Sequence, residues 1–206
     1  MAVPRCSDCP DGLDWGRQAL VYDDTAAALI GALKDRHRRD LAPLLARVMA
    51  RTLPIPSPGS VLVPVPAGPA RVRRRGFDQA QLIGLALARH WRRPLRGALR
   101  RLDDSHAQRG SGRRERVSGI AGEFVPMPSV PRNVVLIDDV QTTGATLAEC
   151  ARVLRRAGSV RVGALCVARV PPIANAPGTA RLACPGSIPA KDTTHPQQGA
   201  APCSCR

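Results

Sequence analysis

Apolar positions between residues 21 and 170 follow two periods that alternate along the chain. Short runs of aliphatic residues, many of them β-branched, are typical of buried strands, and they occur at 61–65, 134–137 and 160–168. In other segments apolar residues recur at the spacing of an amphipathic helix. Those segments cover residues 23–33, 40–49, 78–89 and 146–156. Strands that alternate with helices predict an α/β fold with a central, mainly parallel sheet flanked by helices.

Short polar residues and glycines at the expected helix ends agree with these segments. Asp23 or Asp24 precedes the first helix and Asp40 the second, in positions typical of N-caps, and Gly158 stands where a glycine often ends a helix. The buried face expected for the second helix consists of Leu44, Leu45, Val48 and Met49. The Arg-rich stretch that follows the strand at 61–65 is predicted to be a loop.

The two ends of the chain lack this pattern. Residues 1–20 are polar and rich in turn-forming residues, and they hold Cys6 and Cys9. From Pro171 onward there are seven prolines and almost no apolar periodicity, which predicts a disordered tail. We therefore divide the chain into an N-terminal segment at 1–20, one domain at 21–170 and a tail at 171–206.

Charge and composition narrow the classes of partner. The net charge is +15, which favours polyanionic or phosphate-bearing partners. A high content of arginine, alanine and proline can also reflect the base composition of the genome, which weakens the argument from charge. Only 2% of the residues are aromatic, which disfavours a base-stacking surface. No apolar run approaches the roughly 20 residues of a membrane helix, and no signal-peptide pattern is visible. We expect a cytoplasmic protein without membrane insertion.

One stretch carries most of the chemical information. The strand at 134–137 leads into Asp138 and Asp139, and then into a loop of small residues that opens onto a helix. The loop consists of Thr142, Thr143, Gly144, Ala145 and Thr146. Ligands of open α/β sheets bind at the carboxyl ends of the strands, and free amides at a helix N-terminus suit a phosphate group. Two adjacent carboxylates accept hydrogen bonds from vicinal hydroxyls, so the stretch predicts a site for a phosphorylated ribose.

Residues 134–146 resemble the phosphoribosyl-pyrophosphate (PRPP) motif of type I phosphoribosyltransferases. A second stretch resembles the signature of the ComF family of competence-associated proteins. It runs from Val63-Pro64-Val65-Pro66 through Arg71 to Arg75-Gly76-Phe77-Asp78-Gln79, with Asp78 where the family usually has Asn. The helix that ends at Lys34, with Tyr22 before it, matches a further family feature, and the resemblance extends over residues 6–170.

The resemblance implies a type I phosphoribosyltransferase fold that binds PRPP, or a related ribose 5-phosphate ligand, together with Mg²⁺. If the chain is an enzyme, it is a phosphoribosyltransferase, that is, a glycosyltransferase acting on pentosyl groups, and it releases pyrophosphate. Asp138 and Asp139 then hold the ribose hydroxyls, and residues 142–146 hold the 5-phosphate. Arg71 and Arg75 stabilise the pyrophosphate, and Lys34 counts among the ligand-binding residues. The segment from Arg101 to Arg116 is expected to close over the site as a lid.

The rival interpretation is a non-catalytic DNA-uptake protein that binds single-stranded DNA or competence machinery. Its phosphate contacts would come from the arginines outside the motif, namely Arg92, Arg93, Arg96, Arg100, Arg101, Arg113 and Arg114. No motif indicates the acceptor of a phosphoribosyl group or the oligomeric state.

The cysteines are predicted to have two different roles. Cys6 and Cys9 form half of a zinc-ribbon pattern, and the resemblance implies a second pair that this chain lacks, so zinc binding through one pair stays open. Cys150 and Cys166 lie in predicted helix and strand, where small buried hydrophobic residues are expected.

Overall fold

The structure is a computed structural model that describes residues 9–102 and 122–171. Cys6, residues 103–121, which include most of the lid expected at 101–116, and residues 172–206 of the expected tail lie outside the described residues. The helices and strands, in chain order, are β1 (Trp15–Val21), α1 (Asp24–Asp35), α2 (Leu41–Thr52), β2 (Val61–Pro64), α3 (Pro69–Arg75), α4 (Gln79–Trp91), β3 (Leu99–Arg101), β4 (Phe124–Pro126), β5 (Asn133–Gln141), α5 (Ala145–Arg156) and β6 (Arg161–Arg169).

Four strands form one sheet in the order β1-β6-β5-β2, and each neighbouring pair is parallel. Strands β3 and β4 form a separate antiparallel hairpin. The prediction of an α/β fold with a parallel sheet between helices is therefore confirmed. Within the described part of the chain, no helix is both long and apolar enough to cross a membrane.

Side chains of β5 alternate between two hydrophobic clusters, one on each face of the sheet. Val135 and Ile137 belong to the cluster formed with α1, α2 and α4. Val134 and Leu136 belong to the cluster formed with α5 and the hairpin. A strand that buries both faces reads as a continuous apolar run, which is why β5 and β6 were recognisable in the sequence.

Strand β1 was not predicted from the sequence, and the boundary drawn at residue 20 falls inside it. It pairs with β6 along one edge of the sheet, and most of its side chains are half-buried. Trp15 packs directly over Gly163, where a Cβ would lie only 2.2 Å from the Trp15 ring. An edge strand of this kind lacks a clear apolar alternation, so periodicity gave no signal.

The Arg-rich stretch forms the short helix α3 rather than the predicted loop. Pro69 occupies its first turn, and Gly76 ends it in the left-handed conformation at φ +73°. None of its residues is buried. Arginine has a high helix propensity, but a helix without a buried face leaves no apolar period in the sequence.

Both the cap and the buried face of α2 differ from the prediction. The Asp40 carboxylate binds the guanidinium of Arg38 and makes no cap hydrogen bond. Leu45 and Met49 are buried as predicted, but Leu44 is exposed and Val48 is only half-buried. Alanines take their places on the buried face. That face consists of Ala42, Leu45, Ala46 and Met49. Close packing of α2 against α4 and the sheet favours small side chains at these positions.

Asp78 is the N-cap of α4, and it also fixes the loop that follows β2. One carboxylate oxygen accepts from the backbone N–H of Gln81 at 3.1 Å, and the other accepts from the N–H of Ala67 at 2.7 Å. An asparagine has a single side-chain acceptor oxygen, and its NH₂ group cannot accept from a second N–H. The Asp78 carboxylate therefore binds both segments, whereas an asparagine could accept a good hydrogen bond from only one of them.

We expect Asp78→Ala to lower the free energy of unfolding by about 1–2 kcal/mol, because the cap and the loop bond are both lost. Asp78→Asn should cost less, since it retains one of the two acceptors. Urea unfolding monitored by circular dichroism measures both values. An Asp78→Asn protein as stable as the wild type would show that the Ala67 bond contributes nothing.

Candidate functional site

A pocket of about 350 Å³ lies at the carboxyl edge of the sheet, where β2 and β5 end. Its polar lining is Tyr22, Lys34, Arg71, Arg75, Gln79, Arg101, Asp138, Asp139, Thr142 and Thr146. Seven of the ten site residues expected from the sequence therefore meet in one pocket. The other three, Thr143, Gly144 and Ala145, line a separate cavity of about 680 Å³ behind the loop.

Asp138 and Asp139 belong to β5, which extends beyond the predicted strand to Gln141. Asp138 is half-buried, and the side chain of Asp139 is only 6% exposed. The backbone N–H of Asp139 donates to Asp138 Oδ1 at 2.8 Å. Burial and the neighbouring charge of Asp139 raise the pKa of Asp138 well above its usual range, against the opposing effects of that hydrogen bond and of Lys34.

Lys34 supplies the positive charge closest to this acid pair. It lies in the last turn of α1, and its Nζ is 2.9 Å from Asp139 Oδ2. Because Asp139 is buried, its carboxylate requires a nearby cation. The ion pair joins the end of α1 to the end of β5, two elements that are distant in sequence.

Arg75 enters the pocket from α3 and is held by residues of two other helices. Its guanidinium lies 3.3 Å from Gln79 Oε1 and 3.3 Å from Asp35 Oδ1. Only 11% of its side chain is exposed, and its Nε has no partner among the described residues. Arg71, one helical turn earlier, is exposed at the pocket rim. Of these two arginines, Arg75 is anchored and Arg71 is free to reach a ligand.

Three polar lining residues were not assigned to ligand binding from the sequence. Tyr22 was noted only as a family feature before the first helix. Gln79 is part of the family signature, and its position four residues after Arg75 was the available signal. Arg101 was assigned to the lid and to DNA contacts, but it lies in β3, lines the pocket and pairs with Glu123. Its guanidinium also stands 5.2 Å from the centre of the Phe124 ring. A pairing across the hairpin has no local pattern that would reveal it.

The small-residue loop is packed from behind by the N-terminal segment. Gly144 adopts φ +82°, and a Cβ there would lie 2.4 Å from Pro10 Cγ. Thr142 and Thr146 face the pocket from the two ends of the loop, and Thr142 directly follows the last residue of β5. Any larger residue at position 144 would displace the loop, so glycine is required there for both its conformation and its size.

The described cysteines are not reactive groups of this pocket. Cys150 and Cys166 are fully buried, as predicted, and burial raises the pKa of each thiol well above its usual value. Cys9 is half-buried beside the larger cavity. Its expected zinc partner Cys6 lies outside the described residues, so the zinc half-site stays a prediction. For Mg²⁺, the carboxylates of Asp138 and Asp139 are suitable hard oxygen donors.

The raised pKa of Asp138 predicts that this carboxyl group destabilises the fold above acidic pH. The unfolded Asp138 ionises near pH 3.9, about its reference value, whereas the folded group stays protonated to higher pH. Stability is therefore lost as the pH rises from about 4 through the raised pKa. Asp138→Asn removes this loss and retains an acceptor for the Asp139 N–H.

We expect the melting temperature of Asp138→Asn to exceed that of the wild type at pH 7, with the difference vanishing below pH 4. Differential scanning calorimetry across pH 3–8 measures both. Asp11→Asn, the same change at an exposed carboxyl group, should show no such difference. A pH-independent difference would contradict the proposed ionisation.

Comparison with known proteins places the chain among competence-associated proteins. No protein-family model matches it. It is 31% identical to Competence protein F of Haemophilus influenzae over 169 residues, which cover 75% of this chain and 73% of the relative. It is 32% identical to DNA utilization protein YhgH of Salmonella typhi over 177 residues, which cover 80% of this chain and 76% of the relative.

A more distant match is Competence protein ComFC of Bacillus subtilis, 28% identical over 144 residues, which cover 69% of this chain and 58% of the relative. The matches to the first two relatives exceed 30% identity over three quarters of this chain. The chain belongs to the ComF family.

Proposed function

We propose that this chain binds PRPP, or a related ribose 5-phosphate ligand, with Mg²⁺ and transfers its phosphoribosyl group. The observation that carries the proposal is the pocket itself. Seven residues singled out from separate sequence motifs line one cavity at the carboxyl edge of a parallel sheet. Open α/β sheets bind ligands at this edge. A proposed type I phosphoribosyltransferase fold is consistent with the four parallel strands.

Each group of lining residues fits one part of the ligand. The Asp138 and Asp139 carboxylates accept hydrogen bonds from the two ribose hydroxyls, and Thr142 and Thr146 donate to the 5-phosphate. Arg71, Arg75 and Arg101 face the diphosphate with planar donor groups that match phosphate oxygens. The cationic side chains outnumber the carboxylates in the pocket, which suits a ligand with several negative charges.

The reaction is a displacement at the anomeric carbon. A nucleophilic atom of the acceptor forms a bond to C1 of the ribose and loses its proton to water. The bond between C1 and the diphosphate oxygen breaks, and that oxygen keeps the electron pair as pyrophosphate leaves. Positive charge develops on the ribose in the transition state, and the carboxylates beside it are already in place to stabilise that charge. Bound Mg²⁺ neutralises part of the diphosphate charge.

We expect PRPP with Mg²⁺ to raise the melting temperature of the wild type. A ligand at 100 times its dissociation constant stabilises the native state by about 2.7 kcal/mol, which corresponds to roughly 5–10 °C for a chain of this size. Asp138→Asn combined with Asp139→Asn should abolish the shift, because both negative charges and one acceptor oxygen of each side chain are lost, and the NH₂ groups that replace those oxygens cannot accept from ribose hydroxyls or bind Mg²⁺. Differential scanning fluorimetry with and without PRPP measures the effect.

Two matched controls sharpen this test. Asp11→Asn with Asp24→Asn makes the same charge change at exposed positions and should leave the shift intact. Thr146→Val should weaken the response to PRPP, whereas Thr143→Val, which faces the other cavity, should not. An unchanged shift in the double Asp138/Asp139 variant would rule out this pocket as the PRPP site. Transfer itself is tested by release of pyrophosphate from PRPP in the presence of candidate acceptors.

A second candidate function is the binding of single-stranded DNA, which the words "competence" and "DNA utilization" in the names of the relatives favour. The structure contains a suitable surface, which we call the basic rim. It consists of Arg36, Arg39, Arg71, Arg73 and Arg74, all exposed. His37 Nδ1 lies 3.1 Å from the backbone oxygen of Arg75, and Arg39 donates to that of Gly76 at 3.1 Å, so the α1–α2 loop is attached to α3.

The arginines first considered for DNA contacts are only partly suited to that role. Arg93 donates to the backbone oxygen of Pro56 at 2.9 Å and ties the end of α4 to the preceding loop. Arg101 lines the pocket and is paired with Glu123. Arg92, Arg96 and Arg100 are exposed. Arg113 and Arg114 lie outside the described residues.

If the basic rim binds DNA, the affinity for a single-stranded oligonucleotide falls with salt by a slope of roughly −0.7 per neutralised phosphate on a log–log plot. Arg73→Gln with Arg74→Gln should flatten that slope by about one to two units and leave the PRPP-induced melting shift unchanged. Arg47→Gln with Arg51→Gln, two exposed arginines of α2, is the matched control. Equal slopes for all three proteins, measured by fluorescence anisotropy, would remove the basic rim as a DNA surface.

A further inference from the structure

We propose that Lys34 is an internal counter-cation that closes the acid pair to free divalent cations, so that Mg²⁺ enters only together with the diphosphate ligand. The proposal rests on the proposed function for its ligand, but its physical basis is independent of PRPP. The basis is the contact of Lys34 Nζ with Asp139 Oδ2 at 2.9 Å, next to Asp138. Lys34 would then be a positioning residue that controls the order in which the metal and the ligand bind.

The two partners of this ion pair differ in how far they are buried. The side chain of Asp139 is 6% exposed, so its carboxylate has little access to water and depends on the ammonium for compensation. The side chain of Lys34 is 23% exposed, which leaves it a path toward solvent or toward a bound ligand. A lysine side chain is flexible and carries a compact charge. Lys34 can therefore leave Asp139 without any change in the backbone of α1.

Two of the other three cations of the pocket are held by different partners, and the third, Arg71, is exposed at the rim. Arg75 contacts Asp35 and Gln79, and Arg101 is paired with Glu123. Among the described residues, Lys34 is therefore the cation in ion-pair contact with the acid pair. Removing its charge would leave a buried carboxylate that attracts another cation.

Electrostatic charge also favours entry of Mg²⁺ together with the diphosphate. Four cationic side chains and two carboxylates line the pocket, and Asp35 and Glu123 pair with two of those cations. The whole chain carries a net charge of +15, so a free divalent cation that approaches the pocket meets a positive field. A Mg²⁺–diphosphate complex keeps a negative charge and is attracted by the same field. Asp139 Oδ2 accepts no hydrogen bond within the described part of the chain, so ribose hydroxyls that approach the acid pair can donate to it. Lys34, displaced from its ion-pair contact, can then contact the diphosphate. The charges thus favour loading of the metal with its ligand over loading of the metal alone.

The test measures Mn²⁺ binding by electron paramagnetic resonance in the absence of PRPP, with Mn²⁺ as the probe for Mg²⁺. Wild type should bind Mn²⁺ weakly, and Lys34→Met should bind it at least tenfold more tightly. Lys34→Arg, which keeps the charge, should resemble the wild type. Lys34→Met with Asp139→Asn should lose the gain, because the carboxylate that attracts the metal is gone. Arg36→Met removes a charge from the exposed residue two positions on and controls for a general change in net charge.

Equal Mn²⁺ affinity of wild type and Lys34→Met would overturn the proposal, and so would a tenfold gain in Arg36→Met. If Lys34→Met does not fold, Lys34→Gln provides the same comparison with a neutral polar side chain. A second measurement separates this proposal from the proposed function. A wild type that shows no melting shift with PRPP and Mg²⁺, beside a Lys34→Met protein that gains Mn²⁺ affinity, would refute the function and retain the role of Lys34.

Discussion

A parallel sheet is stable only when both of its faces are covered, and much of this structure follows from that constraint. Helices α1, α2 and α4 cover one face, and α5 with the β3–β4 hairpin covers the other. Because all four strands run in the same direction, their carboxyl ends meet at one edge. Covering the faces leaves this edge open, and the pocket lies there.

Charged residues at that edge are held by pairs that link distant parts of the chain. Lys34 of α1 meets Asp139 of β5, Arg75 of α3 meets Asp35, and Arg101 of β3 meets Glu123. Each pair satisfies a charge that would be costly to bury alone. The compensation is incomplete, since Asp138 has a raised pKa and Arg75 Nε has no partner among the described residues. Ionisable groups with incomplete charge compensation and shifted pKa values are typical of functional sites.

The N-terminal segment supports the same site from the opposite side. Pro10 packs against Gly144 of the small-residue loop, and Arg155 of α5 donates to the backbone oxygen of Gly12 and to Asp14. Asp14 in turn accepts from the N–H of Val162 at the start of β6. These contacts connect the segment before β1 to α5 and β6, and they fix the loop that carries Thr142 and Thr146.

Strands with continuous apolar runs, and helix ends that depend on nearby residues, could be predicted from the sequence. The strands β2, β5 and β6 bury both faces, so their apolar runs were sufficient to predict them. Asp23 caps the start of α1 and Gly158 follows the end of α5, and both act through residues close in sequence. The acid pair and the small-residue loop are also contiguous, and they predicted the location of the pocket. Features without a local period were missed or misassigned, namely the half-buried edge strand β1, the unburied helix α3 and the buried face of α2. The partners of Lys34, Arg75 and Arg101, and the division of the loop between two cavities, were decided by tertiary structure alone, because they depend on residues that only the packed sheet brings together.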